Sequence, residues 1–193
     1  MKYLIKSAHV RSPHLQTKGF TLVELLVVIA IIAILAAVVV LIINPLELTR
    51  RGRDAARLTD LANLQNAINV AVQEVTGDTA LEVLCIGSTE YPCNGSSFPA
   101  GSGSRDADGT GWVKVNLSSS QSVSVPTLPQ DPANSSALHY TYCANNDAWE
   151  IDTVLESVQQ SGKMLADGGN EDDKFEVGSN LQLINASGGS CVY

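Results

Sequence analysis

The most informative residue of this 193-residue chain is a carboxylate within an apolar stretch. Glu24 follows the mainly apolar Phe20–Val23 and precedes Leu25–Ile43, a run of 19 residues without a charge. As a helix, Phe20–Ile43 would be about 36 Å long, enough to cross a hydrocarbon core of about 30 Å. A carboxylate in such a segment is unfavourable by about 2.5 to 3.5 kcal/mol at the centre and by less near the end. An acid kept there indicates a cationic partner.

The residues before Glu24 carry a second pattern. Met1–Lys18 contains four basic residues, Lys2, Lys6, Arg11 and Lys18, and no acidic one. The string KGFTLVELLVVIAIIAIL, Lys18–Leu35, closely resembles the class III signal of type IV pilins and type II secretion pseudopilins. In that family a dedicated peptidase cuts after the glycine and the new N-terminal residue, usually Phe, is methylated. The resemblance therefore implies cleavage between Gly19 and Phe20 and methylation of Phe20.

Cleavage would create a cation close to Glu24. The new α-amino group of Phe20 lies one helical turn from the carboxylate, so a pair within one helix is possible. The resemblance implies a different pair, in which Glu24 reaches the amine of a neighbouring subunit and sets the stagger of a helical filament. Such a head-to-tail contact does not close on itself, so it produces fibres. The resemblance is close over Lys18–Ile43 and generic beyond it.

After the apolar run, the sequence predicts an amphipathic second half of the same helix. Apolar residues recur at steps of three and four: Leu58, Leu61, Leu64, Ile68, Val72 and Val75. Thr76–Asp78 are predicted to end this helix. Pro45 lacks a backbone donor, so a kink or local melting is expected near Asn44 and Pro45, with Gly52 as a second soft point.

The rest of the chain predicts an antiparallel β head. The predicted strands are Leu81–Ile86, Gly111–Leu117, Leu138–Ala144, Ala148–Leu155, Lys174–Val177 and Leu181–Ile184. Asn145–Asp147 predict a hairpin turn between the third and fourth, and Gly178–Asn180 predict one between the last two. Asn94–Gly111 is rich in Gly, Ser and Asn and predicts a loop. The segment Leu128–Ser157 also resembles the proline-aspartate-proline loop and following hairpin of pseudopilin heads.

The predicted fold class is therefore α+β. A long N-terminal helix, with a membrane half and an amphipathic half, packs on a small antiparallel β-sheet head in a pilin-like layout. The expected divisions are a cleaved leader at residues 1–19, the membrane and assembly half at 20–43, the amphipathic half at 44–76 and an extracytoplasmic head at 77–193.

Four cysteines indicate the compartment of the head. Cys85, Cys93, Cys143 and Cys191 form no paired CxxC motifs and only one histidine follows the leader, so disulfides are favoured over a zinc site. Three connectivities are possible. Cys85 with Cys93 closes a local loop and Cys143 with Cys191 ties the C-terminal end to the predicted hairpin, so these two pairs are favoured. Disulfides place the head outside the cytoplasm.

One acidic loop is a candidate metal site. The string DGGNEDD, Asp167–Asp173, holds five oxygen-bearing side chains and resembles in position the calcium loop of major pseudopilins. Asp167, Asp172 and Asp173 would be the calcium ligands, and a solvated acidic loop is the favoured alternative. No other cofactor is expected.

Catalytic patterns are missing from the sequence. His139 is the single histidine after the leader and lies in a predicted strand beside aromatic residues, which favours a structural role. None of the serines lies in a GxSxG motif. We therefore expect no catalytic residues and no enzymatic activity.

Charge disfavours nucleic acid as a partner. The formal net charge is −8, and from Thr59 onward four basic residues face seventeen acidic ones. Arg50, Arg51, Arg53 and Arg57 lie after the apolar run, where they could meet lipid phosphates and later the acids of neighbouring subunits, or form a solvated face. Because this cluster equals the leader in positive charge, the positive-inside rule does not decide the orientation.

Two functions from different classes agree with these patterns. The first is a structural subunit of a type IV pilus or a type II secretion-like pseudopilus, which polymerises through its N-terminal helix. The resemblance implies its partners: copies of itself and other pilins, a prepilin peptidase and N-methyltransferase, an inner-membrane assembly platform, and membrane lipid before assembly. It also implies a single pass through the bacterial cytoplasmic membrane with the head outside, followed by a cell-surface or periplasmic filament. The alternative is a monomeric, single-pass, membrane-anchored extracytoplasmic binding protein.

Overall fold

The computed structural model describes residues 19–74, 80–87, 91–99, 104–119, 122–185 and 191. The chain divides into two compact units, Met1–Asn44 and Pro45–Tyr193. In the described residues, the first unit contains one α-helix, and the second contains two α-helices and a four-stranded antiparallel sheet. This arrangement confirms the predicted α+β class.

The first unit is built on helix α1, Leu22–Ile42. Those of its large apolar side chains that the structure describes are exposed on every side of the helix. By length and composition, Leu22–Val40 is the one segment in the described part of the chain that can cross a membrane. A helix that is apolar all round needs apolar surroundings, which lipid or other such helices supply.

The second unit begins with helix α2, Pro45–Glu74. Because α1 ends at Ile42 and α2 starts at Pro45, the predicted interruption near Asn44 is present. Proline suits the first position of a helix, where its missing N–H has no partner to lose. The helix continues through Gly52, so the second predicted soft point does not interrupt it.

One face of α2 packs into the second unit. Its buried residues are Asp54, Arg57, Leu61, Leu64, Ala67, Ile68 and Ala71. The predicted apolar stripe is therefore confirmed from Leu61 to Val72, while Val75 lies outside the described residues. The same face extends towards the start of α2 through two charged residues. The predicted stop at Thr76–Asp78 lies outside the described residues.

The sheet consists of four short strands in the order β1-β2-β3-β4, each antiparallel to its neighbour. They are β1, Cys93–Ser96; β2, Thr141–Asn145; β3, Ala148–Thr153; and β4, Phe175–Gly178. The predicted hairpin between β2 and β3 is confirmed, with Asn146 in the left-handed conformation at a φ of 55°. Asparagine tolerates this conformation, which two-residue hairpin turns require.

Two predicted strands are wrong. Ala80–Leu84 forms a short helix, α3, where a strand was expected over Leu81–Ile86. Apolar runs this short do not distinguish helix from strand by periodicity. Gly111–Leu117 is irregular, with one isolated bridge between Asp108 and Asn116, although Val113, Val115 and Leu117 are buried in alternation. Its backbone N–H groups bind loop carbonyls instead of a partner strand, as from Trp112 to Ser104 and from Leu117 to Ala107.

The second predicted hairpin is also wrong. Strand β4 pairs with β3, while Leu181–Ile184 forms a turn with one isolated bridge from Ile184 to Cys191. The Oε2 atom of Glu150 accepts the backbone N–H groups of Leu183 at 2.7 Å and Ile184 at 2.9 Å. A side chain therefore satisfies the backbone that a partner strand would otherwise satisfy.

Strand β1 occupies part of the stretch predicted as a loop. Its sequence, CNGS, has no alternation of apolar and polar residues. Gly95 permits its position, because a Cβ atom there would collide with the carbonyl oxygen of Trp112. The close approach of Gly95 to the backbone of Trp112 allows this strand, and hydrophobic periodicity does not indicate such an approach.

The two faces of the sheet differ in chemistry. One face joins the main core, where Tyr142, Ile151 and Trp149 cluster with Leu61 and Leu64 of α2. The opposite face buries polar groups, including Glu150, Asp152 and Glu176. The apolar face holds the sheet on α2, and the polar face lies under the segments that follow β3 and β4.

Two disulfides complete the second unit. Cys85 is bonded to Cys93, and Cys143 is bonded to Cys191, with Cα–Cα distances of 5.8 and 6.1 Å. These are the two pairs that the sequence favoured, and they use all four cysteines. The second bond joins β2 to residue 191, near the end of the chain.

Candidate processing and assembly site

The predicted cleavage position lies just before helix α1. Gly19 and Phe20 are exposed and lie outside the helix, which begins at Leu22. A Cβ atom built on Gly19 meets no atom within 4 Å, so the packing of the chain does not require a glycine there. The peptide bond between Gly19 and Phe20 is therefore accessible without unwinding a helical turn.

Glu24 forms a capping box with Thr21. Its Oε2 atom accepts the backbone N–H of Thr21 at 2.8 Å and the Thr21 hydroxyl at 2.7 Å. In return, the Thr21 Oγ1 atom accepts the backbone N–H of Glu24 at 3.2 Å. Helix termini leave backbone donors unpaired, which is most unfavourable in apolar surroundings. Glu24 thus has a local role in starting α1 that the sequence analysis did not predict.

The capping box leaves part of the carboxylate available. Both bonds use Oε2, and Oε1 takes no hydrogen bond from the described residues. Glu24 is also the single charged residue of α1. Gly19, Phe20 and Glu24 therefore lie together at one end of an exposed apolar helix, with a carboxylate oxygen that can still pair with a cation.

The comparisons with known proteins concern this same segment. Residues 15–40 match the family model of the prokaryotic N-terminal methylation motif, which is the prepilin signal of type IV pilins and pseudopilins. No curated protein and no solved structure matched the chain. The motif and the apolar helix fit a membrane-anchored, prepilin-like protein, and the α+β layout is pilin-like.

A buried charge network positions the start of α2 in the second unit. The Arg57 guanidinium is fully buried and donates to Asp131 twice, from Nε at 2.6 Å and from Nη2 at 3.0 Å. Its Nη1 atom lies 2.8 Å from both Asp54 Oδ1 and Glu156 Oε2. Arg53 donates two further bonds to Glu156, at 2.6 and 2.7 Å.

Backbone groups complete this network. Asp54 accepts the N–H groups of Glu156 and Ser157, and Asp131 accepts those of Ala133 and Asn134. Two loops that are distant in sequence are thereby fixed to one helical turn of α2. Removing one partner would leave buried charges unpaired, which is strongly destabilising.

The ionisation of the network follows from these contacts. Burial would raise the pKa of Asp131, but Arg57 and the two backbone N–H groups outweigh it and lower the pKa. Arg53, together with Arg57, lowers the pKa of Glu156 to about 2 against the opposing effect of burial. Both acids are charged at neutral pH, as pairing with arginine requires.

The network corrects the interpretation of the arginine cluster. Arg53 and Arg57 pair with acids of their own chain, so they are not free to meet lipid phosphates or neighbouring subunits. The sequence analysis missed this site. One signal was present, since Asp54 and Arg57 continue the spacing of the apolar stripe on α2 and therefore face the core.

A second polar cluster lies on the opposite face of the sheet. Burial, together with the neighbouring Glu176, raises the pKa of Glu150, and burial also raises the pKa of Glu176. Glu150 Oε1 has no hydrogen-bond partner in the described structure. A neutral carboxylic acid is easier to bury in this way than a carboxylate.

The candidate calcium loop is organised by backbone contacts. Asp167 accepts the N–H groups of Gly169 and Glu176, at 3.0 and 2.9 Å. Asp172 and Asp173 are exposed. No group of three His, Cys, Asp or Glu residues within the described ranges is arranged to hold a metal ion. Calcium binding by Asp167, Asp172 and Asp173 stays a prediction.

His139 has structural contacts in the second unit. Its Nδ1 atom lies 3.1 Å from the carbonyl oxygen of Ser135, and its ring centroid lies 6.2 Å from that of Phe98. These contacts agree with the structural role expected from the sequence. The prepilin-type motif likewise points to a structural subunit, a class that is usually not enzymatic.

Proposed function

We propose that this protein is a prepilin, a structural subunit of a type IV pilus or a type II secretion-like pseudopilus. The main support for this proposal is the motif match over residues 15–40. Within this segment, Glu24 is the single charged residue of the exposed apolar helix α1. A membrane anchor needs only the cap on Thr21, for which an uncharged acceptor suffices, whereas an assembly contact with an amine needs the negative charge. The alternative of a monomeric anchored binding protein explains the cap but not the charge.

Processing comes first in the proposed mechanism. A prepilin peptidase cleaves between Gly19 and Phe20, and an N-methyltransferase activity methylates the new amine. The accessibility of this peptide bond supports the step. Methylation keeps the positive charge of the amine, so it remains a partner for a carboxylate.

Assembly follows through α1. The helices leave lipid and pack on one another with the help of an inner-membrane assembly platform. In their apolar layer, Glu24 of one subunit pairs with the Phe20 amine of the next, where a low dielectric strengthens the attraction. The head lies outside the cytoplasmic membrane, an assignment that its two disulfides support.

Intact mass spectrometry of protein from a host with a prepilin peptidase tests this function. We expect a chain that starts at Phe20 and carries one added methyl group. Gly19→Val should block cleavage without disturbing the fold, because a side chain there has open space. Gly52→Ala is a matched control at another unobstructed glycine and should leave cleavage unchanged. A retained leader in the parent protein would overturn the proposal.

A further inference from the structure

The exposed apolar side chains of the second unit are concentrated in two segments. Among its described residues, the large exposed apolar side chains are Leu46, Leu48, Tyr91, Val158 and Leu165. Four of the five lie in the first turn of α2 or in the loop between β3 and β4. Val158 is 79% exposed and Leu165 is 68% exposed, so these side chains are in water unless something covers them.

The two segments are held together by hydrogen bonds. The backbone N–H of Val158 donates to Glu47 Oε1 at 2.9 Å, and that of Ser157 donates to Asp54 Oδ2 at 2.7 Å. The neighbouring Arg53–Glu156 ion pair adds two bonds. We call Leu46, Leu48, Val158 and Leu165 the α2-start surface.

Chain connectivity limits how far the α2-start surface can be from the apolar run. Leu46 follows Ile43, the last residue of that run, by three residues. Three residues span at most about 11 Å even when fully extended. If α1 crosses a membrane, the first turn of α2 must start within or beside the headgroup layer.

Basic residues accompany the exposed apolar ones. Arg50 and Arg51 lie on the next turn of α2, and Lys163 lies in the same loop as Val158 and Leu165. Asp54 and Glu156 belong to the buried network, and Glu47 binds both Val158 and Arg51. The exposed acids of this loop, Asp172 and Asp173, lie seven and eight residues after Leu165. The rest of the unit is strongly acidic and would be repelled by an anionic surface.

We infer that the α2-start surface inserts into the headgroup layer of an anionic membrane before assembly. Its aliphatic side chains would enter the boundary of the acyl chains, while Arg50 and Lys163 meet lipid phosphates. This contact would restrict the orientation of the head on the membrane. The inference rests on the membrane insertion of α1 from the proposed function, and it does not need polymerisation.

Depth-dependent fluorescence quenching tests the inference on the full chain. Because the four native cysteines are bonded, an introduced cysteine is the one site for a thiol-reactive fluorophore. The labelled variants are Val158→Cys, Ser122→Cys and Ile32→Cys, each incorporated as one chain per nanodisc with phosphatidylglycerol and brominated acyl chains.

Ser122→Cys is the matched control. Its backbone N–H is also fixed to a glutamate of α2, Glu74, at 2.8 Å. Glu74 is 27 residues after Glu47, which is about 40 Å along a helix. Ile32→Cys lies in α1 and reports whether that helix is in the bilayer.

We expect strong quenching of the label at Ile32, and several-fold stronger quenching at Val158 than at Ser122. When a zwitterionic lipid replaces phosphatidylglycerol, the quenching at Val158 should be lost. Arg50→Gln with Lys163→Gln should weaken quenching at Val158 in the same way.

Equal, weak quenching at Val158 and Ser122 alongside a quenched Ile32 would overturn the inference and leave the proposed function intact. An unquenched Ile32 would overturn the membrane insertion on which both depend. Shielding of the Val158 label only in nanodiscs with two chains would assign this surface to a second copy, which also overturns the inference.

Discussion

At the scale of residues, the chain holds ionised groups in apolar places by two different means. Arg57 is enclosed and finds all of its partners within its own chain, in Asp54, Asp131 and Glu156. Glu24 is exposed on an apolar helix and, among the residues that the structure describes, binds Thr21 alone. The network around Arg57 stabilises the fold of the head. Glu24 remains able to pair with a cation.

Two substitutions at Glu24 separate its roles. Glu24→Gln keeps an oxygen that can accept the Thr21 N–H but removes the charge, whereas Glu24→Ala removes both. If pairing with the Phe20 amine drives assembly, both variants should insert into the membrane and both should give several-fold fewer filaments in a shear assay. A filament yield of Glu24→Gln equal to that of the parent protein would assign Glu24 to helix capping alone.

Because of Glu150, we expect the free energy of unfolding to fall as the pH rises. Because its pKa is raised in the folded state, the folded protein keeps this proton above the ordinary value of 4.5, whereas the unfolded chain loses it. The free energy of unfolding should therefore fall between about pH 4.5 and about pH 8, by up to about 1.4 kcal/mol per pH unit. Urea unfolding at several pH values measures this slope.

The variant Glu150→Gln serves as the comparison. It retains an oxygen for the Leu183 and Ile184 amides but cannot ionise. Its stability should change less with pH, and it should exceed the parent protein in alkaline solution. At low pH both proteins should lose stability between about pH 4.5 and 2, because the pKa of Glu156 is lowered to about 2. Identical slopes above pH 5 would show that Glu150 is not the titrating group.

At the scale of elements, sequence patterns correctly predicted a helix and a hairpin that depend on residues close together in the chain. The apolar run predicted α1, and the turn at Asn146 predicted the β2–β3 hairpin. Leu81–Ile86 was assigned wrongly because short apolar runs suit either a helix or a strand. Leu183 and Ile184 bind the side chain of Glu150 where a strand was predicted, and no periodicity indicates such a contact across more than 30 residues.

The two disulfides should differ in their effect on stability. On the chain-entropy model, the Cys143–Cys191 bond closes a loop with a sequence separation of 48 and contributes about 4 kcal/mol. The Cys85–Cys93 bond, with a separation of 8, contributes about 2.6 kcal/mol. Paired alanine variants should therefore lower the melting temperature more for the longer loop. The reverse order would show that the Cys85–Cys93 bond stabilises the fold by more than the entropy of closing its loop.

At the scale of the whole molecule, we expect the stability of a head fragment to depend on whether it includes the charge network at the start of α2. A fragment from Leu58 to Tyr193 retains the apolar stripe of α2 but discards Arg53, Asp54 and Arg57. Asp131 and Glu156 would then be left without their cations. We expect this fragment to be less stable than a Pro45–Tyr193 fragment by about 3 kcal/mol or more. Equal urea midpoints for the two fragments would show that the network is dispensable.

The candidate processing site and the charge network of the head differ in how far the sequence indicates them. Gly19, Phe20 and Glu24 lie within six consecutive residues, so their relation can be read directly from the chain. Arg57 and Asp131 are 74 residues apart, and their contact depends on the folded path of the loops between them. The α2 stripe indicated that Arg57 faces the core, but it did not identify which acid meets it there.

The order of the disulfides along the chain has a consequence for biosynthesis. The bonds join the first cysteine to the second and the third to the fourth. A chain exported from its N-terminal end exposes Cys85 and Cys93 long before Cys143. An oxidising catalyst that joins cysteines in their order of emergence therefore produces the native pairs directly, without later reshuffling. Since Cys191 follows Cys143 by 48 residues, the second bond closes the head only after that whole segment has been exported.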